Sequence, residues 1–190
     1  LERYGPESLH TNQLMMPLVR VLLEERRTVD ALKLMECMLA NLDRLEVGPT
    51  ALPRVQLRRL RANALVAQRR WSEALEEFEA LRSALADDPQ LIETLGAPTL
   101  GWVRALIAVG RVDDAVTESR RLARSRAEQM GTSAYESAEA RGYYAVALAT
   151  AGKTELALEE YRQALAILLP AAAERTDRSG GRFARLAYVV

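Results

Sequence analysis

The chain has 190 residues, 49% of them hydrophobic, and its 26 basic side chains balance 26 acidic ones to a formal net charge of zero. That much apolar material excludes wholesale disorder, and neutrality excludes a general polyanion-binding role, so nucleic acid or an anionic membrane would have to find a local patch. One cysteine, Cys37, excludes an internal disulfide framework and suits a reducing compartment, so a cytoplasmic location is expected. Along the chain, apolar residues recur at spacings of three and four and strand-type alternation is missing, which predicts an all-α protein. The first elements run through LMMPLVRVLLE and then TVDALKLMECML, with Pro17 expected to kink the first helix or to mark its start. Pro53 and Pro98 sit where first-turn prolines of later helices belong. WSEALEEFEAL reads as one amphipathic helix, with the small Ala74 set between Trp71 and Phe78 in its apolar stripe.

Ala74 is one copy of a repeated position. Ala31, Ala74, Ala115 and Ala157 are 43, 41 and 42 residues apart. Nine residues before each anchor stands a leucine: Leu22, Leu65, Leu106 and Leu148. Four before it stands a base: Arg27, Arg70, Arg111 and Lys153. Apolar or small residues recur one, four and seven positions after it, at Leu32, Leu75, Val116 and Leu158, at Met35, Phe78, Ser119 and Tyr161, and at Met38, Leu81, Leu122 and Ala164. A breaker lies far upstream each time, at Gly5, Gly48, Pro89 and Gly131. Each copy therefore reads as breaker, long helix, tight turn and second helix. The copies span about 5–47, 48–88, 89–130 and 131–172, with a linker and the start of a further helix at 173–190. Gly110 and Gly152 suit a left-handed helix cap in the turn, whereas Arg26 and Arg69 make that turn less ideal in the first two copies. Thr28, Ser72, Asp113 and Thr154 are expected to cap the second helices, and the recurring base to face the C-terminal dipole of the first. Ala74 is small, on this reading, because the two helices of one hairpin approach closely there. Stacked hairpins then bury what one hairpin cannot.

Leu, then Gly, then Ala-x-x-x-aromatic in a helix–turn–helix unit resembles the tetratricopeptide (TPR) repeat, most fully in LATAGKTELALEEYRQALAI and WSEALEEFEALRSALADDP. The long period looks like the long-helix class of kinesin light chains and bacterial regulators, as does the opening YGPESLHTNQLMMPLVR. The third copy departs from the pattern with Ser119 in place of an aromatic. The resemblance implies a right-handed α-solenoid that serves as a scaffold for protein or peptide partners. The tail YRQALAILLPAAAERTDRSGGRFARLAYVV resembles the segment before a CHAT caspase-like protease domain. That likeness implies an alternative role, as the sensor segment of a multidomain bacterial protein. The ends, Leu1 and the apolar RFARLAYVV, read as cuts through a longer chain.

Candidate chemistry is sparse. His10 and Cys37 stand alone, with nothing like a catalytic loop around them, and structural or incidental roles are expected, since a buried free Cys behaves as a small hydrophobe. The acidic runs Glu24-Glu25, Glu76-Glu77, Asp87-Asp88 and Glu159-Glu160 carry no His or Cys at ligand spacing and read as solvated helix faces. Gly180-Gly181 lacks the strand and the Lys-Ser/Thr of a phosphate loop. The basic clusters Arg58-Arg59-Arg61, Arg69-Arg70 and Arg120-Arg121-Arg124-Arg126 have no interleaved aromatics to stack bases. No apolar run reaches a membrane span, and no signal segment opens the chain. Neither catalytic residues nor a metal or cofactor site is expected. The first helices of a TPR array line its concave groove, and the repeat maps Gln13, Met16, Arg20, Gln56, Arg59, Asn63, Arg104 and Glu139 to it. Arg20, Asn63 and Arg104 share one column, which Val146 leaves incomplete in the fourth copy. An acidic or carboxylate-terminated peptide is the partner that this set would receive.

Overall fold

The structure is a computed structural model, and it describes residues 8–87 and 99–174. Eight helices and no strand occur among the described residues: α1 (Leu9–Glu24), α2 (Thr28–Arg44), α3 (Leu52–Ala67), α4 (Trp71–Ala84), α5 (Leu100–Ala108), α6 (Val112–Met130), α7 (Tyr135–Thr150) and α8 (Thr154–Glu174). The chain divides into two compact units, Leu1–Ala97 and Pro98–Val190. In the first, α1 packs on α2, α2 on α3, and α3 on α4. In the second, α5 packs on α6 and α7, α6 on α7, and α7 on α8. Gly5, Pro89, Pro98 and the tail from residue 175, including Gly180-Gly181 and the later part of the segment likened to one before a protease domain, lie outside the described residues.

The four hairpin turns share one geometry. The amide of the recurring base donates back to the carbonyl of the recurring leucine, Arg27 to Leu22, Arg70 to Leu65, Arg111 to Leu106 and Lys153 to Leu148, at 2.8–2.9 Å. The preceding amide closes a shorter loop, as from Arg26 to Leu23 and from Gly152 to Ala149. This double closure is a Schellman cap, and it requires a left-handed residue between helix end and exit. Gly110 and Gly152 supply it with φ of 79° and 74°, while Arg26 and Arg69 adopt φ of 59° and 58°. The first two turns thus have the same form as the glycine turns and carry a backbone cost that the glycines avoid.

Two expectations about these turns need correction. The N-caps of α2, α4 and α6 are the bases Arg27, Arg70 and Arg111, without side-chain capping bonds. Thr28 and Thr154 already lie in their helices as first residues, and Ser72 and Asp113 as second residues, so none of them caps. The chain passes from the left-handed residue into the next helix across one residue, and the base fills that place. Three of the base side chains hydrogen-bond forward into the second helix, and Arg27 also lies 3.9 Å from Glu25 at the end of the first. Arg27 Nε donates to Asp30 at 3.0 Å, Arg70 Nε to Glu73 at 2.6 Å, and Arg111 Nε to Asp114 at 2.8 Å. The acids stand in the first helical turn, where the dipole also favours them. The Arg70 hydrogen bond holds the Glu73 carboxyl below the usual carboxylate range. Genuine side-chain caps occur where helices start freely, at Ser8 on the Thr11 amide and at Thr99 on the Trp102 amide, both at 3.2 Å. Helix α1 runs through Pro17, which therefore does not mark its start, and Pro53 occupies the first turn of α3.

Inside each hairpin the repeated columns form the core. Leu22, Leu65, Leu106 and Leu148 are all buried, as are Ala31, Ala74, Ala115 and Ala157. Ser119, the departure in the third hairpin, is fully buried and donates to the Val116 carbonyl at 3.2 Å. The first unit carries a polar tie within its core. Asn41 Nδ2 donates to Asn12 Oδ1, and Asn12 Nδ2 to the Met38 carbonyl, each at 3.0 Å. Arg54, nearly buried in the first turn of α3, grips the α2–α3 connection through Asp43 at 2.6 Å and the Val47 carbonyl at 3.1 Å.

Two tests follow from this packing. A Cβ at Gly152 would meet nothing within 4 Å, so Gly152→Ala isolates the backbone cost and is expected to lose about 1–2 kcal/mol in denaturant unfolding. Its converse, Arg69→Gly, is expected to be neutral or stabilising. Ala74→Leu adds volume where none is open, and thermal melts are expected to show about 1–3 kcal/mol of destabilisation.

Candidate functional site

Two polar surfaces arise from first helices of the hairpins, and on α3 they lie on different faces. The one expected from the sequence begins at a cavity of about 170 Å³ between α1, α2 and α3. Gln13, Met16 and Gln56 line it together with Asn12, Leu57 and the first turn of α3. Its floor is apolar and held in place by the Asn12–Asn41 tie. Its mouth carries two glutamine amides, which can pair with a peptide backbone. Helical spacing puts Arg20 one turn beyond Met16 on α1, and Arg59 and Asn63 successive turns beyond Gln56 on α3. The cavity brings Gln13, Met16 and Gln56 together, and it does not include Arg20, Arg59 or Asn63. Arg20, Asn63 and both glutamines are exposed, and Met16 and Arg59 are half-buried. Arg104 and Glu139 are half-buried on α5 and α7 of the second unit, and Val146 is buried there.

The second surface was missed by sequence reasoning. Sixteen residues before the anchor stand Arg58 and Arg141, and three after it stand Glu77 and Glu160. Both pairs are ion pairs across the hairpin, at 3.8 Å and 3.3 Å. Thirteen before the anchor, Arg61 joins the same Glu77 and also reaches Glu36 of the preceding hairpin at 3.7 Å. In the second unit Tyr144 takes that place, and its hydroxyl accepts from Arg120 of the preceding second helix at 3.2 Å. Position thirteen before the anchor therefore faces position five after the anchor of the hairpin before. Glu77 and Glu160, which the acidic runs suggested were solvated, are half-buried partners in these networks. The signal was present as identical Arg and Glu columns in the second and fourth copies. It was overlooked because each charge was judged with its sequence neighbours. Around Arg120, Arg124, Arg141 and Tyr144 the second unit keeps an open crevice of about 370 Å³.

Cys37 is exposed on α2, so it does not pack as a small hydrophobe. Among the described residues no group of three or more His, Cys, Asp or Glu side chains could hold a metal ion, and no helix is long and apolar enough to cross a membrane.

Comparison with solved structures decides the fold. A protein of Podosopora anserina described as a kinesin light chain with nearly identical TPR-like repeats superposes with a TM-score of 0.64 at 21% identity. The match covers 91% of this chain and 80% of that one. The fold is a TPR-like helical repeat. A single-substitution variant of the same protein matches at a TM-score of 0.66 and 20% identity, over 90% of this chain and 79% of that one. No protein-family model matches the chain, and no curated protein does. TPR-like repeats are in general non-catalytic and typically serve protein interactions, and the likeness in this chain is one of architecture.

The ion network yields a measurable contrast. Removing the Glu77 carboxylate leaves Arg58 and Arg61 half-buried without their shared acceptor. Glu77→Gln is expected to cost about 1–3 kcal/mol in chemical denaturation. Glu128→Gln, which removes only an exposed pair with Arg124, is expected to stay within about 0.5 kcal/mol of the parent.

Proposed function

We propose that the chain is a non-catalytic TPR-like scaffold that receives a peptide segment of a partner protein across the first-helix face of its first unit. The observation that carries this reading is the cavity between α1, α2 and α3, whose mouth holds Gln13, Met16 and Gln56. An apolar side chain of the partner fits the floor, and the two glutamine amides pair with its backbone. Arg20, Arg59 and Asn63 continue the same two rows and favour an acidic or carboxylate-terminated segment, because the planar guanidinium pairs with a carboxylate through two hydrogen bonds. Solenoid repeats habitually bind through such first-helix surfaces.

The test uses fluorescent acidic peptides of varied sequence, each made with a free C-terminal carboxylate and with an amide cap. The free acids are expected to bind more tightly and to weaken with added salt. Arg20→Glu with Arg59→Glu is expected to weaken binding at least about tenfold, or 1.4 kcal/mol, with helicity unchanged by circular dichroism. Binding that survives this double variant and is lost on Arg120→Glu would move the site to the crevice between second helices.

A further inference from the structure

The crevice of about 370 Å³ in the second unit is walled by α6, α7 and α8. Its counterpart in the first unit falls between α2, α3 and α4, and the repeat shows what keeps the second one open. Eight residues after the anchor the first unit has Leu39 where the second has Ala123, and twelve after it Asp43 where the second has Ala127. Leu39 is half-buried, and Asp43 is held by Arg54 at 2.6 Å. The two alanines leave that space unfilled. The charges are exchanged as well. Arg120 stands in the place of Glu36, and Tyr144 in the place of Arg61. Position five after the anchor, by which α2 and α6 meet the hairpin that follows them, is Arg162 in α8, about half a helical turn away from the crevice-lining Glu160.

Three guanidiniums, of Arg120, Arg124 and Arg141, line the crevice with two carboxylates, of Glu128 and Glu160. Arg141 is satisfied by Glu160 at 3.3 Å and by the Gln163 side-chain oxygen at 2.6 Å. Arg124 meets Glu128 at 3.3 Å in an exposed pair, a kind weak enough for a ligand to displace. Arg120 has no acid. Among the described residues its partner is the Tyr144 hydroxyl, which accepts from Nε at 3.2 Å, with the guanidinium 6.0 Å from the ring centre. Both terminal nitrogens of Arg120 remain as donors, and the Tyr144 hydroxyl keeps its own proton to donate. Arg124 lies one turn along the same face of α6, with Ala123 and Ala127 beside the two bases.

We propose that this crevice binds a small monocarboxylic acid with an apolar or aromatic body. The carboxylate pairs with the planar fork of Arg120, the one guanidinium of the three without an acidic partner, and Arg124 and the Tyr144 hydroxyl supply further donors. One uncompensated positive charge specifies a monoanion. The body lies on Ala123, Ala127 and the Tyr144 ring. The volume falls in the lower part of the range for small-ligand sites, roughly 300–1,000 Å³. The site belongs to the second unit and does not rest on the peptide reading of the first.

Calorimetric titration of the 190-residue chain with phenylacetate and hexanoate tests this, with the matching neutral amides and phenyl phosphate as comparison ligands. The acids are expected to bind and the amides not. Arg120→Gln, at an exposed position, is expected to weaken the acids at least about tenfold. Ala123→Leu is expected to abolish binding by filling the crevice, with circular dichroism unchanged, since Leu39 already occupies this place in the first unit. No heat from either acid at millimolar concentration would overturn the proposal, as would amides that bind as tightly as acids. Binding that Arg120→Gln and Ala123→Leu both leave intact would do the same, and its loss on Arg20→Glu with Arg59→Glu would assign it to the first unit. Tighter binding of phenyl phosphate would overturn the choice of a monoanion. Tighter binding of an amide-capped peptide with one internal Glu would make the crevice a protein-docking face instead.

Discussion

The structure depends on a backbone hydrogen bond made four times, from the amide of a base to the carbonyl of a leucine five residues earlier. That bond satisfies a helix-end carbonyl that would otherwise be lost to packing. It also fixes the direction in which the chain departs. With the exit fixed, the second helix returns antiparallel to the first, and the anchor alanine arrives beside its core. The left-handed residue inside the bond is the strained member. Two hairpins use glycine there, and two use arginine at nearly the same dihedral. The burial that follows outweighs the difference, since a fully buried leucine alone contributes about 1.5–3 kcal/mol.

Once a hairpin is set, its first helix has three distinct faces, and α3 shows all of them. Leu57 and Ala64 are buried on the face turned to the hairpin before. Arg58 and Arg61 enter an ion network with Glu77 and Glu36. Gln56 and Asn63 are exposed on a third face, with Arg59 half-buried beside them. The division follows from a period of 3.6 residues, which sends neighbours in sequence to different surroundings. It explains how one short basic cluster, Arg58-Arg59-Arg61, serves two purposes. Two members, Arg58 and Arg61, meet the half-buried Glu77 between helices, and the third, Arg59, lies one turn beyond the cavity-lining Gln56. A cluster of this kind has much less free positive charge than its sequence suggests, which accords with the overall neutrality of the chain.

The two units treat the equivalent crevice differently. In the first, Arg61 is answered by acids on both sides. In the second, Tyr144 replaces that arginine and Arg120 replaces the facing acid, so a hydroxyl–guanidinium contact stands where an ion network would be, with the guanidinium 6.0 Å from the ring centre. The repeat thus conserves the meeting of two positions while exchanging the chemistry that joins them. It is the geometry of the hairpin that is periodic, and the polar chemistry on it is free to vary.

The sequence by itself determined the helical class, the hairpin unit and the core columns. Each of these is a local matter of spacing: a helix buries residues three and four apart, and a repeat that buries them once buries them again. Leu22, Leu65, Leu106 and Leu148 could therefore be picked out before any coordinates. The cavity between α1, α2 and α3 joins Gln13, Met16 and Gln56 from two such helical rows. Tertiary structure alone decided which charges met. Arg61 and Glu36 lie on different hairpins, and Arg27 hydrogen-bonds to the acid three residues ahead. It also decided that Cys37 faces solvent, that the capping residues are bases, and that Asn12 and Asn41 bond inside the core. The reason is range. Hydrophobic periodicity averages over many residues and tolerates small errors in register, whereas a hydrogen bond or an ion pair exists only if two particular atoms come within a few ångströms, and that distance is set by the packing of whole helices.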